Sequence, residues 1–202
     1  MVRYLAKIMA EYIAQDDETA DVEVLTYGYY LVFQEWLLNI ALMLVALPFG
    51  LFFHILAAVL VIRMMRFRAG GVHARYSIVC WMTTFAYAYI PTGLAVGFSL
   101  SLSPTAFLIL YVVGFAILLK YAPAETDIKK VNDSKERRRL KIGSIVHYSI
   151  LFLVAAIVQV WWPQVAFVIV VSAAITCFFV LPVAYWLYGF DPVTKEERCK
   201  AI

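Results

Sequence analysis

The residue types that could do chemistry gather in one short polar stretch between long apolar segments. His73 and Cys80 are the only closely spaced histidine and cysteine in the chain, seven positions apart. Cysteine-dependent acyl transfer uses this combination, because the thiolate is the nucleophile and the imidazole takes and returns the proton. We therefore predict Cys80 as nucleophile and His73 as general base and acid.

Arginines and glycines accompany the pair. Arg66, Arg68 and Arg75 are predicted to favour the thiolate by charge or to bind acidic groups of a peptide. Gly70 and Gly71 would let backbone amides approach a substrate closely, because a glycine has no side chain to hinder the approach.

The spacing of His73 and Cys80 constrains the local fold. Positions seven apart on one continuous helix are separated by about 10.5 Å along its axis, which is too far for a hydrogen bond. A helix is therefore expected to begin at residues 75–77, so that the glycine turn folds the imidazole back over Cys80. The alternative is a solvated basic loop beside a cysteine that packs as a small apolar residue.

Polar residues elsewhere are weaker candidates for supporting roles. Gln34 and Glu35 interrupt an apolar segment, where ionisable groups are often functional. Glu35 is predicted to orient the imidazole or contact a substrate, or to be neutral or paired within the bundle. Glu125 is a candidate for the same support, or is merely solvated. His54 and His147 are expected to be packing residues.

Cysteine usage and motifs argue against metals and cofactors. The three cysteines, Cys80, Cys177 and Cys199, are odd in number and far apart, so neither a disulfide framework nor a cysteine-rich zinc site is expected. No nucleotide-binding loop, calcium loop or His-Glu-x-x-His zinc pattern occurs. We predict no metal and no cofactor.

The elements that must position these residues are membrane helices. The chain has 202 residues, 64% of them hydrophobic and 15% charged, with a mean hydropathy of +0.82. Such a composition excludes a soluble globular domain and predicts a single integral membrane domain over residues 1–202. The fold class expected is all-α and polytopic.

Six transmembrane helices and one N-terminal amphipathic helix are predicted. Residues 2–13 carry apolar positions at helical spacing, so the segment 1–26 is assigned to the membrane interface. The second span is short for about 30 Å of hydrocarbon; it would tilt little, thin the bilayer or take a last turn from residues 64–67. The predicted spans are 29–46, 49–62, 78–98, 106–119, 145–160 and 165–187.

Charge sets the orientation of these spans. All 17 lysines and arginines fall in the N-terminal segment, the catalytic loop 63–77, the basic loop 121–143 with Lys120 just before it, and the C-terminal tail. The positive-inside rule therefore places both termini and the catalytic loop in the cytoplasm. The basic loop is expected to face anionic membrane lipids or an acidic peptide, rather than nucleic acid.

Two sequence motifs, taken together, resemble those of a known protein family. Arg66-x-x-x-Gly70-Gly71-x-His73-Ala74 precedes Cys80, and Tyr-Ala-Pro-Ala-Glu-Thr follows at residues 121–126, before a basic segment. Over residues 27–142 the chain resembles the accessory gene regulator B (AgrB) family of Gram-positive quorum-sensing systems. The Lys-Pro pair that often follows the second motif in that family is absent here.

The resemblance implies a bacterial cell-membrane cysteine endopeptidase, homodimeric, that cleaves an AgrD-like precursor peptide and cyclises it to a thiolactone. By position, His73 and Cys80 match the family's catalytic pair, and Arg66 and Gly71 match residues of its active-site loop. Two other functions remain open: a small peptide transporter that uses Glu35, His54 and His147 along a path, and a non-catalytic membrane scaffold.

Overall fold

A computed structural model describes residues 2–15, 21–72, 77–124 and 133–188. Over this part of the chain the secondary structure is helical and contains no β-strand, which confirms the all-α class. The helices are α1 (Val2–Ala14), α2 (Val22–Ala46), a 3-10 turn (Leu47–Phe49), α3 (Phe52–Ala69), α4 (Ser77–Gly97), α5 (Pro104–Tyr121), α6 (Ser134–Val158), α7 (Pro163–Phe178) and α8 (Pro182–Leu187).

The chain divides into two compact units, of which the first is Met1–Gly50. Here α1 packs against α2, and the small side chains of Ala6 and Ala10 are fully buried. Asp21 caps α2 by accepting hydrogen bonds from the amides of Glu23 and Val24. Gly50 ends the 3-10 turn with a φ of 66°, in the left-handed region.

The second unit, Leu51–Ile202, is built around α7. This helix of 16 residues packs against α3, α4, α5 and α6. Because neighbours surround it, α7 buries small and β-branched residues that let the surrounding helices approach. Its buried residues are Ala166, Val168, Ile169, Val170, Ser172, Ala173, Thr176 and Cys177.

Several helix boundaries differ from those the sequence predicted. Helix α3 continues past residue 62 to Ala69, so Arg63, Arg66 and Arg68 lie on a helix and not in a loop. The sequence predicted that this helix could take a last turn from residues 64–67, and the helix extends two residues further, to the residue before Gly70. Helix α6 begins at Ser134 rather than near residue 145, because Asp133 caps it through the amide of Lys135.

The predicted sixth span is not one continuous helix. Helix α7 ends at Phe178, and α8 starts at Pro182 after a short irregular segment. Proline has no amide hydrogen to donate and clashes with a preceding helical turn, so it is tolerated at the start of a helix and not in its interior. Pro182 therefore separates the two helices.

Within the described part of the chain, four helical segments are long and apolar enough to cross a membrane: Val22–Phe49, Ile78–Gly97, Pro104–Tyr121 and Ser134–Val158. Large apolar side chains are exposed along them, including Trp36, Met82, Leu108 and Leu153, each more than 60% exposed. Exposed apolar surface of this extent is the surface that lipid covers in a membrane protein. The chain is a membrane protein by these criteria.

Candidate active site

Cys80 lies about one turn after Ser77, the first described residue of α4. The predicted start of this helix between His73 and Ser77 stays a prediction, because residues 73–76 lie outside the described residues. Its thiol is free and partly buried. Cys80, Thr83 and Tyr87 occupy positions i, i+3 and i+7 and so share one face of α4. With residues of other elements they line a cavity of about 10 Å³. The cavity is lined by Arg66, Val72, Cys80, Thr83, Tyr87, Phe179 and Tyr188.

The glycine segment before His73 is held by backbone hydrogen bonds to two other parts of the second unit. The Gly71 amide donates to the Ala124 carbonyl at 3.3 Å, and the Ala124 amide donates to the Ala69 carbonyl at 2.8 Å. The Val72 amide donates to the Phe179 carbonyl at 3.2 Å. The ends of α3, α5 and α7 therefore meet at the Cys80 end of α4.

These hydrogen bonds bear on the predicted role of Gly70 and Gly71, which was to let backbone amides approach a substrate. The Gly70 amide donates to the Arg66 carbonyl, so the amides of residues 70, 71 and 72 are all paired with protein carbonyls. The close approach that glycine permits is made here by the backbones of Ala124 and Phe179. Approach of this segment to a substrate stays a prediction.

Arg66 belongs to the cavity, whereas Arg68 does not line it. The Nη2 group of Arg66 donates to the Val72 carbonyl at 2.5 Å, which ties the last turn of α3 to the glycine segment. The Nε of Arg66 is buried and has no hydrogen-bond partner among the described residues. Arg68 lies against Gly143 of α6.

Hydroxyl groups form a short chain beside Cys80. The Tyr188 hydroxyl donates to Thr83 Oγ1 at 3.2 Å, and the Thr83 hydroxyl donates to the Val79 carbonyl at 2.5 Å. Thr84 donates to the Cys80 carbonyl at 2.8 Å. Tyr188 thereby connects the end of α8 to the helix that carries the thiol.

Three residues predicted for the site, His73, Arg75 and Glu125, lie outside the described residues. Gln34 and Glu35 are on α2 in the first unit, where Gln34 donates to the Tyr30 hydroxyl at 2.7 Å. A role for Gln34 and Glu35 in supporting the catalytic pair stays a prediction. Of the residues predicted, the structure therefore brings together Cys80 and Arg66, with Gly70 and Gly71 close by in the held segment.

The other described histidines and cysteine occupy packing positions, and Cys199 lies outside the described residues. His147 Nδ1 lies 2.8 Å from the Gly143 carbonyl, within hydrogen-bonding distance on its own helix. His54 is in the first turn of α3, at the opposite end of that helix from Arg66. Cys177 is buried in α7. Across residues 2–15, 21–72, 77–124 and 133–188, no three acidic, histidine or cysteine residues cluster as a metal site.

Outside the predicted loop 63–77, sequence reasoning missed four residues of the cavity: Thr83, Tyr87, Phe179 and Tyr188. For Thr83 and Tyr87 a signal was present, because both share the helix face of Cys80 once α4 is predicted. For Phe179 and Tyr188 there was none. They reach the site through packing of the α7–α8 connection, about a hundred residues further along the chain.

Comparison with known proteins adds the following findings. The sequence model of the family described as Accessory gene regulator B matches residues 5–184. AgrB-like protein 2 of Clostridium perfringens strain 13 is 24% identical over 157 residues, which cover 72% of this chain and 71% of the relative. An AgrB-like protein of C. perfringens strain SM101 matches with the same identity and coverage. No solved structure matches.

Proposed function

Because this chain belongs to the accessory gene regulator B family, as the match over residues 5–184 establishes, we propose that it is a membrane cysteine endopeptidase. Its substrate is an AgrD-like quorum-sensing precursor peptide. The observation that carries the proposal is the position of Cys80, whose free thiol lies one turn inside α4 and lines a cavity with Arg66 and two tyrosines. His73, seven residues earlier, supplies the imidazole.

The first half of the reaction is acyl transfer to the protein. His73 accepts the thiol proton, and the Cys80 sulfur attacks the scissile carbonyl carbon to form a carbon–sulfur bond and an oxyanion. The carbonyl then re-forms as the carbon–nitrogen bond breaks. The imidazolium of His73 gives its proton to the leaving amine, and the C-terminal tail of the precursor departs.

The second half is a thioester exchange. A cysteine of the precursor gives its thiol proton to His73 and attacks the acyl-thioester carbon, and Cys80 leaves as a thiolate. One thioester replaces another, so the exchange is close to energetically neutral. Water must be excluded meanwhile, because it would hydrolyse the thioester. A site at the membrane boundary suits this need.

We propose six membrane crossings, made by the four long helical segments together with α3 and α7. Helix α3, with 18 residues, is about 27 Å long, and α7, with 16, is about 24 Å long, so both are close to the hydrocarbon thickness of about 30 Å. The termini and the Cys80 end of α4 would face the cytoplasm. The positive charges of residues 63–75 and 120–141 support this orientation.

Coexpression with the precursor tests the chemistry. We expect Cys80→Ala and His73→Ala to leave the precursor intact, because each removes one partner of the acyl transfer. Cys177→Ala is the matched control, since its thiol is buried in α7 away from the cavity, and it should cleave as the wild type does. Mass spectrometry should find an acyl adduct on Cys80 of the wild type and of the control.

Precursor cleavage by Cys80→Ala at the wild-type rate would refute the proposed mechanism. An adduct found only on another residue would refute it as well.

A further inference from the structure

The polar groups that line the cavity are not equally available to a substrate. The hydroxyl protons of Thr83 and Tyr188 are already donated, to the Val79 carbonyl and to Thr83 respectively. The amide of Val72 donates to Phe179, and Arg66 Nη2 donates to Val72. The two hydroxyls and the Val72 amide would each have to break an existing hydrogen bond before binding an oxygen atom, whereas Arg66 Nη2 still carries a second hydrogen.

Two buried donors of the cavity lining remain unpaired. Arg66 Nε has no hydrogen-bond partner among the described residues, and the Tyr87 hydroxyl forms none of acceptable geometry there. Tyr87 nevertheless lies beside Tyr188, near enough for their two hydroxyls to interact without the geometry of a hydrogen bond, and close enough to Arg66 and Cys80 to interact with them electrostatically. Unpaired buried donors are costly, so their presence in a native fold calls for a role.

The direction of the Tyr87 side chain suits such a role. Long side chains on an α-helix lean towards its N-terminus, over the turn that precedes their own Cα atom. Tyr87 is seven residues after Cys80 on the same face, so this general direction carries its ring towards the thiol, and both residues line the cavity. Arg66 reaches the same cavity from the end of α3. The two donors thus come from different helices.

The size of the cavity fits one atom of a substrate rather than a whole peptide. Its volume of about 10 Å³ is roughly the space that one water molecule needs. A single carbonyl oxygen is of this size. The rest of the precursor would lie outside this space.

We propose that the Tyr87 hydroxyl and Arg66 Nε–H form the oxyanion hole for Cys80, an assignment that rests on the proposed function. As the sulfur bonds to the scissile carbon, the π electrons of the carbonyl move to its oxygen, and both donors hydrogen-bond to this oxyanion. When the carbonyl re-forms and the amine or thiolate leaves, both donors keep their protons. The pair therefore serves the acylation and the thioester exchange alike.

The test compares two reactions of the same thiol in the purified full-length protein. The first is acylation of Cys80 by a synthetic precursor, which passes through an oxyanion. The second is alkylation by iodoacetamide, which forms a carbon–sulfur bond with loss of iodide and creates no oxyanion. Tyr87→Phe removes only the hydroxyl. We expect acylation to slow roughly 100-fold, the usual cost of losing one oxyanion donor, while alkylation keeps its wild-type rate.

Tyr89→Phe is the matched control, since the same change is made on the same helix outside the cavity lining. It should leave both rates unchanged. Wild-type acylation by Tyr87→Phe would overturn the assignment, while an adduct on wild-type Cys80 would keep the proposed function intact. Equal slowing of acylation and alkylation would also overturn it, because Tyr87 would then act on the thiol or the fold. Absence of any wild-type adduct would refute the proposed function and the assignment together.

Discussion

Gly70, three residues before His73, occupies a backbone position that accepts only glycine. Its φ of 71° and ψ of −141° lie where side chains other than hydrogen are strongly disfavoured. A Cβ atom on Gly70 would also overlap the carbonyl oxygen of Ala124, which belongs to the backbone and cannot rotate away. The resemblance to the family singled out this part of the sequence, but the neighbour that requires glycine is known only from the fold.

Gly70→Ala should therefore destabilise the protein. We expect a loss on the order of 1–3 kcal/mol in the free energy of unfolding, because both the dihedral angles and the contact with Ala124 become unfavourable. Thermal unfolding of the purified protein in detergent measures this. Gly93→Ala is the control, since nothing lies within 4 Å of a Cβ atom at that position of α4. An unchanged unfolding temperature for Gly70→Ala would contradict the described segment.

At the scale of helices, the contact between α5 and α6 shows how close packing is achieved in the second unit. The Tyr148 hydroxyl of α6 donates to the Leu110 carbonyl of α5 at 2.7 Å, and its ring is fully buried. Gly114, one turn further along α5, leaves the space that the Tyr148 side chain fills. Phe152 packs edge-on against Phe107, with ring centres 5.1 Å apart.

Gly114→Leu should force these two helices apart. The added side chain would occupy the space of the Tyr148 ring, and overpacking of this kind costs about 1–3 kcal/mol in the free energy of unfolding. Gly28→Leu makes the same change inside α2, where nothing lies within 4 Å, and should be tolerated. Unfolding curves in detergent compare the two variants. Equal stability of Gly114→Leu and wild type would argue against the described packing.

At the scale of the whole molecule, the charges of the second unit support the proposed orientation in a membrane. The ends of α3, α5 and α7 are joined by backbone hydrogen bonds, so they lie at one end of the second unit. Arg66, Arg68 and Lys120 lie in the last turns of α3 and α5 at that end. A single basic end of this kind is typical of the cytoplasmic side.

Cysteine labelling tests the orientation. In a cysteine-free background, Ser101→Cys should react with a membrane-impermeant maleimide in intact cells, because the turn after α4 is proposed to face outward. Lys135→Cys, at the start of α6, should react only after the membrane is permeabilised. Both native side chains are exposed, so either is accessible once the reagent reaches it. Labelling of Lys135→Cys in intact cells would contradict six crossings with a cytoplasmic site.

The sequence by itself determined the all-α membrane class, the helix that carries Cys80, and the family. These follow from local properties: apolar composition, the distance that seven residues span on a helix, and a string of residue types. Hydrophobicity also predicted the central residues of most of the membrane helices. It could not set their ends, because α3 and α6 continue into charged residues that cost little at a membrane surface.

The tertiary structure decided how the site is built around that cysteine. Phe179 and Tyr188 approach Cys80 because α7 ends at Phe178 and the chain turns before Pro182, and no local pattern near the thiol encodes this. Packing also decided which donors are already paired, namely the loop amides, Thr83 and Tyr188, and which are not. A hydrogen bond depends on the position of both partners, so the availability of Tyr87 and Arg66 became visible only once the helices were placed.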